Sequence, residues 1–116
     1  MTDRDDGRIE EKKLLQPKDN IVNISTHKSA SFFLYISKIY LKRFENIELH
    51  ALGSASQISL QVAGNLKRLG FAEVGKIYSE TIDIQNDANK MVKAIRFTIC
   101  LRRSQDFDKL VGDTLK

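Results

Sequence analysis

Residues 45–70, ENIELHALGSASQISLQVAGNLKRLG, decide how this chain is read. Ile47, Leu49 and Ala51 alternate with Glu48, His50 and Leu52, the two-residue period of a half-buried strand. Leu52-Gly53-Ser54 is a sharp turn. Beyond it Ala55, Ile58, Val62, Leu66 and Leu69 recur at three- and four-residue steps, which predicts an amphipathic helix. Gly70 stands where a left-handed C-cap residue is expected, with Phe71 folding back over the last turn. A strand that feeds a helix through one glycine brings backbone N–H groups and a helix N-terminus to one sheet edge. Such an edge suits an anion, and phosphate is the common one. A lone glycine turn is a weak signal, and by itself it reads equally as a tight strand-to-helix connection. Gly64 inside the helix costs about 1 kcal/mol against alanine. Close approach of another backbone is the expected reason, either the chain's own sheet or a second subunit.

Upstream, Asn20 to Ser25, NIVNIS, is a short strand rich in β-branched residues. Thr26-His27-Lys28-Ser29 follows as a loop, and Ser29 or Ser31 caps the next helix. That helix, from about residue 30 to 44, places Phe32, Ile36, Ile39 or Tyr40, and Phe44 at the spacing of a core-facing stripe. Lys38 and Lys42 lie on another face, with Arg43 at its edge. Residues 1–19 are dense in charge and poor in apolar side chains, and read as a disordered tail. They contain no apolar segment of the kind a secretory signal requires.

Downstream, residues 72–84 and 91–103 are two long strands, joined by the polar loop Gln85-Asn86-Asp87-Ala88-Asn89-Lys90. In the second of them Ile95, Phe97, Ile99 and Leu101 face one way. Ala94, Arg96, Thr98, Cys100 and Arg102 face the other. At roughly 3.3 Å per residue the pair is longer than so small a core needs, so the hairpin is expected to project as an arm. Residues 104–116 carry a short tail with one helical turn docked by Phe107 and Leu110. The order is β-α-β-α-β-β, an α/β chain folded as a two-layer α+β sandwich. Two helices lie on one face of a four-stranded mixed sheet, closed by the antiparallel hairpin.

The bulk numbers agree with one domain. The chain has 116 residues and is 41% hydrophobic, with no apolar run near the roughly 20 residues of a membrane span. Its net charge is +4. Residues 1–19 hold five basic and six acidic side chains, so the excess sits entirely in the remainder. A basic folded part attracts polyanions, though modestly. The single cysteine, Cys100, fits a reducing compartment, cytoplasm or nucleus. It lies in a strand without a basic neighbour in sequence and reads as an inert packed thiol. His27 and His50 lie on different elements. No Cys/His metal spacing, phosphate-loop signature or nucleophile elbow is present. No enzyme, cofactor, metal site, small-molecule substrate or membrane association is expected.

NIVNIS-THKSASFF, then IELHALGSASQ, then the long polar-tipped hairpin together resemble the Alba family of small basic nucleic-acid-binding proteins. The likeness is greatest to the short eukaryotic members of plants and protists. Those carry an LSALG-type turn, a T-x-D-I strand end and a terminal FD-x-L. Here these read Leu49-His50-Ala51-Leu52-Gly53, Thr81-Ile82-Asp83-Ile84 and Phe107-Asp108-Lys109-Leu110. The resemblance covers residues 20–110, an Alba-like domain followed by a tail at 111–116. It implies the β-α-β-α-β-β fold, pairing into homodimers or heterodimers with another Alba-type chain, and binding of RNA or DNA through two loops and the hairpin arms.

Carried over residue by residue, the first loop is Thr26 to Ser29. The family usually has a basic pair followed by proline there; this chain keeps Lys28, then has Ser29 and Ala30. The second turn, basic in archaeal members, is Leu52-Gly53-Ser54. Where archaeal members end the second helix on a bulky aromatic, this chain has Gly70, with Phe71 beside it. These departures favour weaker or RNA-directed binding, or a role inside a complex, over cooperative coating of duplex DNA. The expected interface is His27, Lys28, Ser29, Lys42, Gly53, Ser54, Lys76, Lys90, Lys93 and Arg96. Lys28 and Lys90 lead because projecting loops reach a groove, whereas any one of the other lysines, Lys38 included, reads equally as a solvated surface charge. His27 suits stacking on, or hydrogen bonding to, a nucleotide. The leading expectation is non-sequence-specific binding, to RNA rather than DNA, by a dimer in the cytoplasm or nucleus. The alternatives are a structural subunit of a heterodimer in a ribonucleoprotein such as ribonuclease P/MRP, and a chromatin DNA-binding protein.

Overall fold

The computed structural model describes residues 17–112. Most of the tail expected at 1–19, and residues 113–116, lie outside them. Four strands form one sheet: β1 (Ile21–Ile24), β2 (Asn46–Leu52), β3 (Ala72–Gln85) and β4 (Met91–Arg103). Two long helices, α1 (Ala30–Arg43) and α2 (Ala55–Arg68), connect β1 to β2 and β2 to β3. A short third helix, α3 (Phe107–Val111), follows β4.

The spatial order is β1-β2-β4-β3. β1 and β2 pair in parallel, and β4 pairs antiparallel with both β2 and β3. β2 and β3 therefore run the same way but are separated by β4. The alternation read from the sequence sets the two faces. Val22, Ile24, Ile47, Leu49, Ala51, Ile99 and Leu101 are buried under the helices. Glu48, His50, Arg96, Cys100 and Arg102 take the opposite, helix-free face.

Local chemistry fixes the element ends. Ser29 caps α1, its Oγ accepting from the backbone N–H of Phe32 at 3.2 Å. Gly70, at φ +85°, ends the turn after α2. There the Phe71 N–H donates to the Leu66 carbonyl and the Gly70 N–H to that of Lys67, the paired bonds of a Schellman motif. Ser29→Ala should lower the unfolding free energy by about 1 kcal/mol, read as a few degrees in Tm by circular dichroism. An unchanged Tm would mean that the cap is not formed in solution.

The helix stripes are rotated slightly from the sequence reading. In α1 the buried residues are Phe33, Ile36, Ser37, Tyr40 and Leu41, while Phe32 and Phe44 are half-buried at the margin. In α2 they are Ala55, Ser59, Val62, Ala63 and Leu66, with Leu69 exposed. Small residues take core positions where the helices pack closely on each other and on the sheet. In α3 Phe107 docks as expected, but its partner is Val111 rather than Leu110. Phe107 meets Phe71 edge-to-face, ring centroids 6.1 Å apart. No helix among the described residues is long and apolar enough to cross a membrane.

Candidate nucleic-acid interface

The last rung between β1 and β2 is Ile24 opposite Ala51, and the last between β2 and β4 is Leu52 opposite Arg96. The loop at 25–29 and the turn at 52–54 thus leave the sheet at the same end. β3 and β4 continue past that end for five further rungs, from Thr81–Ile95 to Gln85–Met91, with no third strand beside them among the described residues. This is the projecting arm, roughly 17 Å of two-stranded ribbon before its turn. Asn86 closes the turn, its Oδ1 accepting from the N–H groups of Ala88 and Lys90 at 2.9 and 3.0 Å. Asn89 takes the left-handed conformation there, at φ 63°.

The turn at 52–54 is open to solvent. Gly53 has φ +56°, a conformation that suits glycine, and its carbonyl accepts from both the N–H and the hydroxyl of Ser56. The Ser54 side chain makes no cap hydrogen bond. The Ser56 and Gln57 N–H groups are taken by the Gly53 and Ser54 carbonyls, so the start of α2 offers this edge the Ser54 hydroxyl and the positive end of the helix dipole.

The expected cations differ in their surroundings. Lys28 Nζ lies 5.3 Å above the Phe32 ring, and Lys76 Nζ lies 5.1 Å above the Tyr78 ring. A bulge between Val74 and Ile77 puts Gly75 and Lys76 opposite Cys100, well down the sheet from the arm. Lys93 donates to Asp83 at 2.9 Å, and Arg96 pairs with Glu80. Both cations therefore bring a carboxylate with them, which lowers the potential they present. Lys90, at the arm tip, is exposed and makes no ion pair among the described residues. Ser29 has committed its hydroxyl to the helix cap. Lys42 departs from the expected grouping. It lies in the last turn of α1, at the far end of the sheet, with its Nζ 3.9 Å from Asp108. The helix carries it away because fourteen residues at about 1.5 Å each separate the two ends.

Between the loop and the arm is a cleft of about 440 Å³. Asn23, Ser25, Thr26 and His27 form one wall, His50, Leu52 and Ser54 the next, and Ile82 and Arg96 the third. His50 Nε2 is 2.8 Å from Glu48 Oε1.

No family model matches the sequence. An uncharacterized protein of Arabidopsis thaliana is 35% identical over 98 residues, covering 84% of this chain and 75% of that protein. The crystal structure of ALBA1 from Trypanosoma brucei superposes with a TM-score of 0.65 at 20% identity, over 85% of this chain and 82% of that one. Alba from Thermoplasma volcanium superposes at 0.60 and 19% identity, over 72% of this chain and all of that one. The chain has the Alba fold.

Within this Alba fold, several residues of the interface end are silent in the sequence. Asn23, Thr26, His50 and Ile82 line the cleft although none is among the expected interface residues. Strand register is what brings Asn23, His50 and Ile82 together, with Ile82 across from Ala94, two rungs beyond Arg96. A second feature is apolar. Leu60, Ile77 and Ile95 are 48%, 48% and 62% exposed. Ser56, Leu60 and Gly64 follow one another at four-residue steps along α2, and Ser56 shares a hollow with Ile95 and Phe97. A Cβ built on Gly64 meets nothing within 4 Å, so the glycine does not serve contact with the chain's own sheet.

Cys100 sits on the helix-free face of this Alba domain. Burial, then the Glu48 carboxylate, pushes its thiol above the ordinary cysteine range, and the Lys76 ammonium offsets part of this. A raised pKa leaves less thiolate at neutral pH, and the thiolate is the nucleophile. Alkylation of Cys100 by iodoacetamide at pH 7.5 should therefore run several-fold slower than that of the denatured chain. Equal rates, followed by mass spectrometry, would contradict the burial.

Proposed function

We propose that this protein binds RNA without sequence specificity, as a dimer, through the loop at 26–29, the turn at 52–54 and the hairpin arm. One observation carries the reading: the three segments leave the sheet at the same end, with Lys28, Ser54 and Lys90 on them. Phosphates meet Lys28 at the loop and Lys90 at the arm tip, and the exposed N-terminus of α2 adds the Ser54 hydroxyl and the positive end of its helix dipole. The charge excess supplies affinity and little discrimination between sequences. Cations tied to Glu80 and Asp83 fit modest affinity. The activity is binding rather than turnover, in the cytoplasm or nucleus. A series of gel shifts with single-stranded RNA across salt tests it. Affinity should fall steeply between low and physiological salt, and a flat profile would count against phosphate contact.

The dimer in this proposal uses the exposed face of Leu60, Gly64, Ile77 and Ile95. The same face supports a second reading, a structural subunit paired with another Alba-type chain in a ribonucleoprotein, whose partner makes most contacts to RNA. A stable homodimer that binds RNA unaided would remove that alternative.

A further inference from the structure

The cleft between the first loop and the arm has a chemistry different from its rim. Its walls are partly apolar: Ala51, Leu52 and Ile82 line it. Its polar groups are neutral amides and hydroxyls, from Asn23, Ser25, Thr26 and Ser54, together with the imidazoles of His27 and His50. The cation that borders it, Arg96, is already paired with Glu80, and His50 is hydrogen-bonded to Glu48. Apart from the N-terminus of α2 at its rim, a phosphate meets no unpaired side-chain cation inside. A base has flat apolar faces and a polar edge, which is what these walls and groups match.

We infer that the cleft takes one unpaired nucleobase of the bound strand, while the phosphates on either side of it stay on the rim. The volume of about 440 Å³ lies within the range of small-ligand pockets, roughly 300–1,000 Å³. The base enters edge first toward Asn23 and Thr26, with Ile82 and Leu52 against one face and an imidazole against the other. A base held in a duplex cannot make this entry without leaving its partner, at a cost of a few kcal/mol. The cleft therefore makes the protein prefer an unpaired strand. This inference rests on the nucleic-acid-binding reading above and specifies where the strand is held.

The test uses the full chain and three probes of one length: a single-stranded RNA, the same backbone with abasic positions throughout, and a duplex of the same sequence. The intact strand should bind roughly tenfold more tightly than the abasic one, the scale of one stacked base. Ile82→Trp, which fills the cleft, should bring the intact strand down to the affinity of the abasic strand. Intact and abasic strands that bind alike, or a duplex that binds as well as the single strand, overturn the cleft and leave the rim standing. An Ile82→Trp chain that folds and still prefers the intact strand does the same. If Ile82→Trp does not fold, the comparison of probes on the wild-type chain decides alone. Absence of salt-sensitive binding to all three probes overturns both readings together.

Discussion

A chain carrying Lys28→Glu together with Lys90→Glu should bind single-stranded RNA on the order of a hundredfold more weakly than wild type at physiological salt. Each substitution removes a cation from a segment that projects beyond the sheet and puts an anion in its place. A dimer carries each change twice, so four contacts become repulsions. The salt dependence should flatten in the same titration, because fewer counterions are released per binding event. Stability should change little. Lys90 is exposed, and the contact of the Lys28 ammonium with the Phe32 ring contributes about 0.5–1 kcal/mol at such a site. Lys42→Glu is the matched control. It reverses the same charge at the opposite end of α1, beside Asp108, and should change affinity by less than about twofold. If Lys42→Glu weakens binding as much as the double variant does, net charge rather than the loop-and-arm end governs the affinity.

The contrast between Lys28 and Lys42 also shows what a sequence can and cannot convey here. Alternation at 45–52, the turn at Gly53 and the stop at Gly70 are local, and each fixes its own backbone. The α2 C-cap follows from Gly70 directly, and the strand bounds at 91–103 from that strand's own alternation. Lys28 and Lys90 lie at element ends, so topology alone puts them on one edge. Lys42 and Lys76 lie within elements, and their level along the sheet depends on helix length and on the bulge at Gly75 and Lys76. In the local pattern only Gly75, a glycine inside a strand, hints at that bulge. Ion pairs are equally hidden, because Arg96 meets Glu80 only once β3 and β4 are in register. The α1 stripe keeps Ile36 and Tyr40 but takes Phe33 and Leu41 in place of Phe32 and Phe44, for a related reason. Phe32 and Phe33 are adjacent, and periodicity cannot choose between them when Ser37 takes a core position that apolar counting assigns elsewhere.

Leu60→Asp with Ile95→Asp should convert a dimer into a monomer, read by light scattering at micromolar concentration. Both side chains are about half exposed in the single chain, so the fold loses only their buried part and some helix and strand propensity, about 1–3 kcal/mol. In a dimer they would be desolvated, and an unpaired carboxylate at the centre of an apolar contact costs several kcal/mol. RNA affinity should fall by roughly ten- to a hundredfold, because two linked sites on one strand gain from effective concentration and two separate chains do not. Gly64 supplies an independent sign. In an isolated helix Gly64→Ala gains up to about 1 kcal/mol, since the new methyl group meets nothing within 4 Å. Across a close subunit contact the same methyl group holds the two backbones apart and weakens the pair. A variant that raises Tm at low protein concentration while lowering the dimer fraction is the expected result. A wild-type chain that stays monomeric at tens of micromolar, with Gly64→Ala simply more stable, would assign the apolar face to a different Alba-type partner rather than to a second copy.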